Sequence, residues 1–478
     1  MQQHFIGGEW VAGSSGETLP VIDPSTGEVF DQLQRGTAAD IDRAVAAARA
    51  AMNGAWGRTT ATERGRILMK MSQAILARHE ELAQLEARDT GKPIAQARND
   101  ITVAARYFEY YAGAADKLHG EQIPYLQDFH VVVLREPYGV TAHILPWNYP
   151  AQMFGRSVVG SLAAGNAAVL KPSEDACLTP LAFCRIAQEA GMPAGALNVV
   201  TGLGEEAGDA LTHHADIDYI SFTGSPEVGT LVQKAAAERT LKCVLELGGK
   251  SPQIVFDDAD LERAATFVLK AITQNAGQTC SAGSRLLVQR GVHDRFVAMV
   301  AERFAQSAAG APAMDRDCGP LINAGQQRRV QGFIDRAKAS GIPVLAQGRV
   351  AEGVAPGGYY VAPTLFGAVP RGHELACDEV FGPVLAVMPF DDEADAIALA
   401  NATDFGLIAA IWTADGGRQT RMAKAMHCGQ VYLNCYGAGG GVELPFGGVK
   451  KSGHGREKGF MALEEFTNIK TVVQYHGQ

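Results

Sequence analysis

The stretch QNAGQTCSAGSR at residues 274–285 joins two different periodic patterns and places Cys280 between them. Apolar residues at helical spacing precede it at 267–272, and a strand-like apolar run follows it at 286–288. Its glycines allow the backbone to approach a ligand closely, so the pattern predicts a helix-to-strand connection that carries a nucleophilic cysteine. The alternative is a cysteine that fills a niche of the core, because free cysteine is among the most buried residue types.

Strand and helix patterns alternate on both sides of this stretch. Before it, strands are predicted at 139–144, 167–170, 197–200, 217–222 and 241–246, with helices at 151–163, 178–190, 205–213 and 226–237. From 248 onward, strands are predicted near 253–256, 285–289, 342–345, 384–389, 407–413 and 429–434, with helices near 260–275, 293–308, 326–340, 393–401 and 416–426. Such alternation is typical of parallel βαβ units, so the predicted fold class is α/β, with two doubly wound open sheets.

The ends of the chain show other patterns. Short strands are predicted within 5–30, helices at 41–52, 63–88 and 94–118, and separate strands at 128–136 and 467–475. Thr37 and Asp40 have the spacing of a capping box, which marks the start of the first helix.

The composition excludes several classes of protein. The 478 residues carry a net charge of −10 and no long basic run, which argues against a nucleic-acid partner. No apolar run approaches the ~20 residues of a membrane span, and no secretory signal pattern opens the sequence. The eight cysteines form no CxxC pair and no zinc-site spacing, so we predict no metal and a reduced, cytoplasmic protein.

Polar residues follow several predicted strands, at the sheet edge where ligands of doubly wound folds bind. Asn148 could hold an oxyanion through its side-chain amide, and Lys171 and Glu174 could reach the hydroxyl groups of a nucleotide ribose. Glu246, between leucines and glycines, could be desolvated enough to act as a general base. Each signal also has a structural alternative. Asn148 could form a turn, Lys171 and Glu174 could be a solvated pair in a loop, and Glu246 could be a paired or solvated carboxylate.

Two further segments suit a nucleotide. Gly224 and Ser225 form a tight turn before a helix that begins at Pro226, which makes an anion cradle at a helix N-terminus. Glu379 could hydrogen-bond a ribose, and Phe381 could pack on a flat ring. The alternatives are that Gly224 and Ser225 form an ordinary turn, that Glu379 is a loop carboxylate, and that Phe381 belongs to the core.

Taken together, these segments resemble the aldehyde dehydrogenase superfamily, in the branch that does not acylate coenzyme A. The resemblance covers roughly residues 5–475 and rests on the order and spacing of its motifs. They are Pro146-Trp147-Asn148, Lys171-Pro172-Ser173-Glu174, Phe222-Thr223-Gly224-Ser225, Glu246-Leu247-Gly248-Gly249-Lys250, Gly277-Gln278-Thr279-Cys280, Glu379-Val380-Phe381-Gly382-Pro383 and Pro445-Phe446-Gly447-Gly448.

The resemblance implies a mechanism for oxidising an aldehyde to a carboxylic acid. Cys280 adds to the aldehyde carbon, while the side chain of Asn148 and the backbone N–H of Cys280 hold the oxyanion. Loss of a hydride to the nicotinamide leaves a thioester, and Glu246 activates the water that hydrolyses it. No metal is implied.

The resemblance also implies NAD as the cofactor, with NADP as a second possibility. The residues implied to bind it are Trp147, Lys171, Glu174, Gly224, Ser225, Glu379 and Phe381. Lys171 and Glu174 would hold the adenosine ribose, and the charge of Glu174 opposes a 2′-phosphate and so favours NAD. Gly224 and Ser225 would approach the pyrophosphate.

By the same resemblance, 1–118 and 139–247 form an NAD-binding domain and 248–448 a catalytic domain. Residues 119–138 and 464–478 would form a β oligomerisation arm, which gives a homodimer or homotetramer.

The small-molecule substrate is an aldehyde, and the resemblance implies that Tyr149, Met153, Arg156, Thr279 and Ser281 line its tunnel. The glycine-rich loop 436–444 would complete this lining but can hardly form a rigid wall. The segment 153–156 is similar to one in semialdehyde dehydrogenases, where an arginine meets a substrate carboxylate, so we predict a semialdehyde acid. The alternative is that Arg156 pairs with a local carboxylate.

Two functions of other classes remain open. A cysteine-dependent esterase or amidase would need a positioned histidine beside Cys280. None of the 12 histidines has a sequence context that indicates a catalytic role. A non-catalytic protein with the same fold would have no need of Cys280, Glu246 and Asn148 together.

Overall fold

The computed structural model describes residues 1–437 and 441–477. Within these ranges, two large twisted sheets are flanked by helices, which confirms the predicted α/β class. No helix in these ranges combines the length and apolarity that crossing a membrane requires.

The first sheet has eight strands, of which the central ones are parallel. In spatial order they are Glu9–Val11, His4–Ile6, Leu197–Val199, Ala167–Pro172, Val140–Leu145, Tyr219–Thr223, Lys242–Glu246 and Gly453–His454. The N-terminal strands and Gly453–His454 pair antiparallel at the two edges. Since Val140–Leu145, Ala167–Pro172, Tyr219–Thr223 and Lys242–Glu246 are parallel, the residues that follow them collect at one edge of the sheet.

Helices cover this sheet on both faces. They are Ala38–Asn53, Ala61–Ala77, His79–Thr90, Ile94–Ala114, Pro150–Met153, Gly160–Ala164, Leu178–Glu189, Asp209–His213, Pro226–Glu238 and Gly459–Glu465. The capping box of Thr37 and Asp40 is present as predicted. The side chains between sheet and helices form one apolar core, in which Trp56, Tyr107 and Phe154 are buried.

The second sheet has seven strands, all parallel except the first. In spatial order they are Val344–Gln347, Thr364–Phe366, Val384–Phe390, Arg285–Gln289, Pro252–Val255, Ile408–Trp412 and Gln430–Leu433. Its helices are Leu261–Thr273, His293–Gln306, Ala324–Ala339, Glu374–Cys377, Glu393–Asn401 and Gly416–Ala425. Apolar clusters of their own lie on this sheet, so each sheet organises a separate core.

A third, antiparallel sheet contains Thr467–Tyr475, Phe129–Pro137 and Glu121–Gln122. Small two-stranded sheets join Thr18–Asp23 to Glu28–Gln34, Ala308–Ala309 to Arg349–Val350, and Phe405–Gly406 to Val449–Lys450.

The structure corrects two predicted helices. The single helix predicted at 63–88 is two helices, because the chain leaves helical geometry at Arg78. The helix predicted at 94–118 ends at Ala114 and continues as a 3₁₀ turn, Ala115–Lys117. Apolar periodicity continues across each break, so periodicity alone does not reveal it.

The helix predicted at 151–163 contains a π-helical segment, Phe154–Val159. A side chain at Gly155 would overlap the Tyr107 side chain, with Cβ of Tyr107 at 2.8 Å, so the segment packs closely on the helix Ile94–Ala114. A π segment widens the turn and often occurs at functional sites. Here it contains Arg156.

Candidate active site

Cys280 follows a tight turn that ends the preceding helix. In this turn Asn275 has a φ of 49°, in the left-handed region that few residues other than glycine adopt. Its Nδ2 donates a hydrogen bond to the backbone oxygen of Asn148, 2.8 Å away. A side chain at Gly277 would overlap the backbone oxygen of Gly382. Contacts with distant segments therefore fix the turn, and they leave Cys280 partly exposed.

Asn148 lies against the same turn. Its Nδ2 donates to the backbone oxygen of Gln278 at 2.9 Å, and its backbone oxygen accepts from Lys92 Nζ at 3.1 Å. Its Oδ1 is buried and has no hydrogen-bond partner among the described residues. The amide is thus held rigidly beside the loop that carries the thiol.

Two cavities meet at Cys280. Their volumes are about 320 Å³ and about 220 Å³, and both are lined by Cys280 and Met153. Asn148 and Glu246 line the smaller cavity. The thiol, the amide and the carboxylate therefore face one space, although they lie far apart in the sequence.

Most of the residues predicted to bind a cofactor line the smaller cavity. They are Trp147, Gly224, Ser225, Glu379 and Phe381. Lys171 and Glu174 do not line it; they form an ion pair of 2.8 Å at the end of the strand Ala167–Pro172.

Glycines shape the smaller cavity. Glu379 Oε1 accepts a hydrogen bond from the backbone N–H of Gly249 at 2.9 Å, and a side chain at Gly248 would overlap the Glu379 carboxylate. Ser225 caps the helix Pro226–Glu238 by accepting from Val228 N. The cavity thus has a helix N-terminus, which favours an anion. It also has a carboxylate that can accept hydrogen bonds from hydroxyl groups.

Glu246 is held by an arginine. Nη2 of Arg156 lies 3.0 Å from Glu246 Oε2, and Nε of Arg156 contacts Glu457 Oε2. All three side chains are buried. The contacts are ion pairs without the angles of hydrogen bonds. Arg156 therefore does pair with local carboxylates, which is the alternative to a contact with the substrate.

Burial shifts the pKa values of the reactive groups. It raises the pKa of the Cys280 thiol to about 11, although the charge of Arg156 opposes the rise. It also raises the pKa of Glu246 well above its usual range, again against the effect of Arg156. A carboxyl group with a raised pKa is a stronger proton acceptor than an exposed one.

The predicted substrate residues all line the larger cavity: Tyr149, Met153, Arg156, Thr279 and Ser281. The Tyr149 hydroxyl lies 2.9 Å from Thr279 Oγ1, which ties this wall to the loop of Cys280. Aromatic rings supply much of the remaining wall. The glycine-rich loop contributes Tyr436, Gly437, Gly441 and Leu444, whereas 438–440 lie outside the described residues.

Several residues that contact this site escaped the sequence analysis. Glu457 and Lys458 follow the edge strand Gly453–His454, and the run Gly455-Arg456-Glu457-Lys458 was a signal that could have been noticed. Lys92, which holds Asn148, is buried between Glu86 (3.1 Å) and Asp100 (2.6 Å). Sequence patterns gave no signal for this ion cluster, because its members lie on different helices and the loop between them.

No group of three or more His, Cys, Asp or Glu side chains suited to a metal ion occurs in the described part of the chain. No histidine lines either cavity within that part.

The sequence model of the aldehyde dehydrogenase family matches residues 10–472. The chain belongs to this family. Among solved structures, a protein from Burkholderia cenocepacia assigned as an aldehyde dehydrogenase is 58% identical, with a TM-score of 0.99 over 99% of this chain and 100% of that one.

More distant family members have the same fold. The betaine aldehyde dehydrogenase of Staphylococcus aureus, solved in complex with NAD+, is 36% identical, with a TM-score of 0.97 over 100% of this chain and 95% of that one. An NAD-dependent aldehyde dehydrogenase from Sinorhizobium meliloti is 39% identical, with a TM-score of 0.96 over 100% and 95%. The predicted resemblance to the aldehyde dehydrogenases is thereby confirmed.

Proposed function

We propose that this protein oxidises an aldehyde to a carboxylic acid with NAD, through a covalent intermediate on Cys280. The observation that carries the proposal is the meeting of two cavities at this thiol. One cavity suits a nucleotide and the other a small aldehyde, so a hydride donor and its acceptor can meet beside Cys280. Family membership supports the same reaction.

The residues of the smaller cavity fit NAD. A helix N-terminus at Ser225 suits the pyrophosphate, and Glu379 suits the nicotinamide ribose. Thr223 Oγ1 is buried in this lining without a hydrogen-bond partner among the described residues, so a ligand could satisfy it. When bound, NAD supplies a nicotinamide carbon that accepts a hydride. We propose that Lys171 and Glu174 hold the adenosine ribose and that Glu174 favours NAD over NADP.

Cys280 is the proposed nucleophile. Its thiolate adds to the aldehyde carbon and forms a thiohemiacetal, whose oxyanion the Asn148 amide and the backbone N–H of Cys280 stabilise. Loss of hydride from this carbon leaves a thioester on Cys280. Glu246 then takes a proton from water, and the hydroxyl adds to the thioester. The C–S bond breaks, the carboxylic acid leaves, and the Cys280 thiolate is restored.

The proposed substrate is an aldehyde that carries a carboxylate, the semialdehyde acid predicted from the sequence. Among the described residues, the larger cavity is lined by Arg156, Lys270 and Lys458 and by no aspartate or glutamate. Such a lining attracts an anion. Arg156 lies in this wall, and its charge adds to the attraction although Glu246 and Glu457 pair with it.

We also propose a cytoplasmic homo-oligomer, dimer or tetramer, in which the β arm pairs with a second copy. The arm exposes large apolar side chains to solvent: Ile469, Val472, Val473 and Tyr475 on its last strand, with Leu134 beside them. A long edge strand with an apolar face is typical of an intersubunit contact.

A cysteine hydrolase is the second candidate function. It would need a histidine that takes the thiol proton, and no described histidine lines either cavity. A non-catalytic role would give no account of three buried polar groups converging on one thiol.

The test is a panel of aliphatic, aromatic and carboxylate-bearing aldehydes with NAD or NADP, followed by the absorbance of the reduced nicotinamide. We expect turnover that depends on NAD and is lost in Cys280→Ala. Cys377→Ala is the matched control, because that partly exposed thiol lines neither cavity. An unchanged rate in Cys280→Ala, or ester cleavage without any aldehyde oxidation, would contradict the proposal.

A further inference from the structure

The side chains that line the larger cavity carry positive charge only, within the described residues. Of its three cations, Lys270 is exposed to solvent. Arg156 is buried between the carboxylates of Glu246 and Glu457. Lys458 is partly buried, and it lines the same cavity as Cys280.

The backbone of Lys458 is fixed in an uncommon conformation. Its φ is 63°, in the left-handed region that disfavours residues with a Cβ. Glu457 and Phe446 exchange two backbone hydrogen bonds, of 2.7 and 2.8 Å, on one side of Lys458, and Gly459 N donates to Val442 O at 2.7 Å on the other. Strained backbone of this kind persists where the surroundings fix it, and it concentrates at functional sites. Here it directs a cation into the cavity wall.

Two cations share one aromatic ring in this wall. The Lys458 ammonium lies 5.0 Å from the centre of the Phe446 ring, and the Arg156 guanidinium carbon lies 4.3 Å from it. Arg156 repels Lys458, and the carboxylates of Glu246 and Glu457 offset only part of this repulsion, so an anion beside Lys458 is favoured. Burial, with the charge of Arg156, lowers the pKa of Lys458 to about 8, and a bound carboxylate would raise it again.

We propose that Lys458 determines specificity by binding the carboxylate of the substrate beside Cys280, while Arg156 serves to hold Glu246 and Glu457. This inference rests on the proposed aldehyde oxidation and narrows its substrate to aldehydes with an anionic group. Tyr107 supplies a second donor: it lines the cavity, and its buried hydroxyl has no hydrogen-bond partner among the described residues.

The test compares two aldehydes of the same shape and different charge, 4-formylbenzoate and 4-formylbenzamide. For each, kcat/KM is measured with NAD in the wild type, Lys458→Met, Lys458→Gln and Lys338→Met. The wild type should prefer the anion by about tenfold or more, as expected for a hydrogen bond to a charged group. Both Lys458 variants should lose most of this preference, and Lys338→Met, which removes an exposed lysine outside both cavity linings, should keep it.

The outcomes separate the two proposals. If the wild type oxidises neither aldehyde, nor any other in the panel, the proposed function is wrong. If it oxidises both and Lys458→Met lowers both rates equally, Lys458 acts on the thiol and the specificity inference is overturned. Equal kcat/KM for the two aldehydes in the wild type also overturns it, and that measurement does not depend on any variant folding.

Discussion

Arg156 Nη2 lies 3.0 Å from Glu246 Oε2, and both side chains are buried. The proposed general base of this protein is therefore held in a buried ion pair. Burial raises the pKa of Glu246, and the positive charge of Arg156 opposes that rise. Oε1 of Glu246 has no hydrogen-bond partner among the described residues, so it can accept a proton from water while Oε2 stays beside Arg156.

Removal of the guanidinium should therefore destabilise the fold. Arg156→Met leaves two buried carboxylates without their cation, and breaking a buried ion pair costs about 3–5 kcal/mol. The pKa of Glu246 is already raised, and without Arg156 it should rise further, so protonation becomes the favourable state. The loss of stability should then be smaller at pH 5 than at pH 8. Urea unfolding at both pH values measures it.

The matched control for this prediction is Arg78→Met, which removes an exposed ion pair with Glu189. Exposed pairs contribute little, so this variant should unfold close to the wild type. Equal losses in the two variants, or a loss in Arg156→Met that does not change with pH, would contradict the predicted role of the buried pair.

The reactivity of Cys280 in the ligand-free protein should rise with pH. Its pKa is raised to about 11, so near pH 7 the thiol is protonated and the thiolate fraction increases about tenfold for each pH unit up to 9. The rate of alkylation by iodoacetamide, with Cys280→Ala subtracted to remove the other cysteines, measures this dependence. If the alkylation rate instead stopped rising below pH 8, the thiol would ionise at a much lower pH than its burial implies.

Glu246→Gln should separate the two halves of the reaction. The amide cannot take a proton from water, so the thioester should form and then hydrolyse slowly. We expect a burst of about one reduced nicotinamide per site, followed by turnover slowed at least about a hundredfold. Rapid-mixing absorbance detects both phases. A steady rate equal to that of the wild type would remove Glu246 from the mechanism.

Glu174→Gln should weaken the preference for NAD. The carboxylate opposes a 2′-phosphate, and its loss should raise kcat/KM for NADP relative to NAD by about tenfold, equivalent to about 1.4 kcal/mol. Glu205→Gln, which removes an exposed carboxylate outside both cavity linings, should leave the ratio unchanged. Comparable use of both cofactors by the wild type would contradict the role assigned to Glu174.

The sequence predicted many strands of this protein closely, although it missed Thr364–Phe366 in the second sheet. The strand predicted at 285–289 is Arg285–Gln289, and the tail predicted at 467–475 is Thr467–Tyr475. Buried parallel strands are short, apolar and bounded by turn residues, so their signal is local. The long helix predicted at 63–88 was wrong because its break at Arg78 interrupts the backbone and leaves the apolar spacing intact.

By itself, the sequence determined the α/β class and the family, and it singled out Cys280, Asn148 and Glu246. Each of them lies near a turn at the end of a predicted element, and the residues next to it in the sequence reveal that turn. Only the tertiary structure decided that Arg156 pairs with Glu246 and Glu457, and that Lys458 faces the cavity of Cys280. The partners of a buried charge come from distant parts of the chain, and folding alone selects them, because an unpaired charge cannot remain in the interior at low cost.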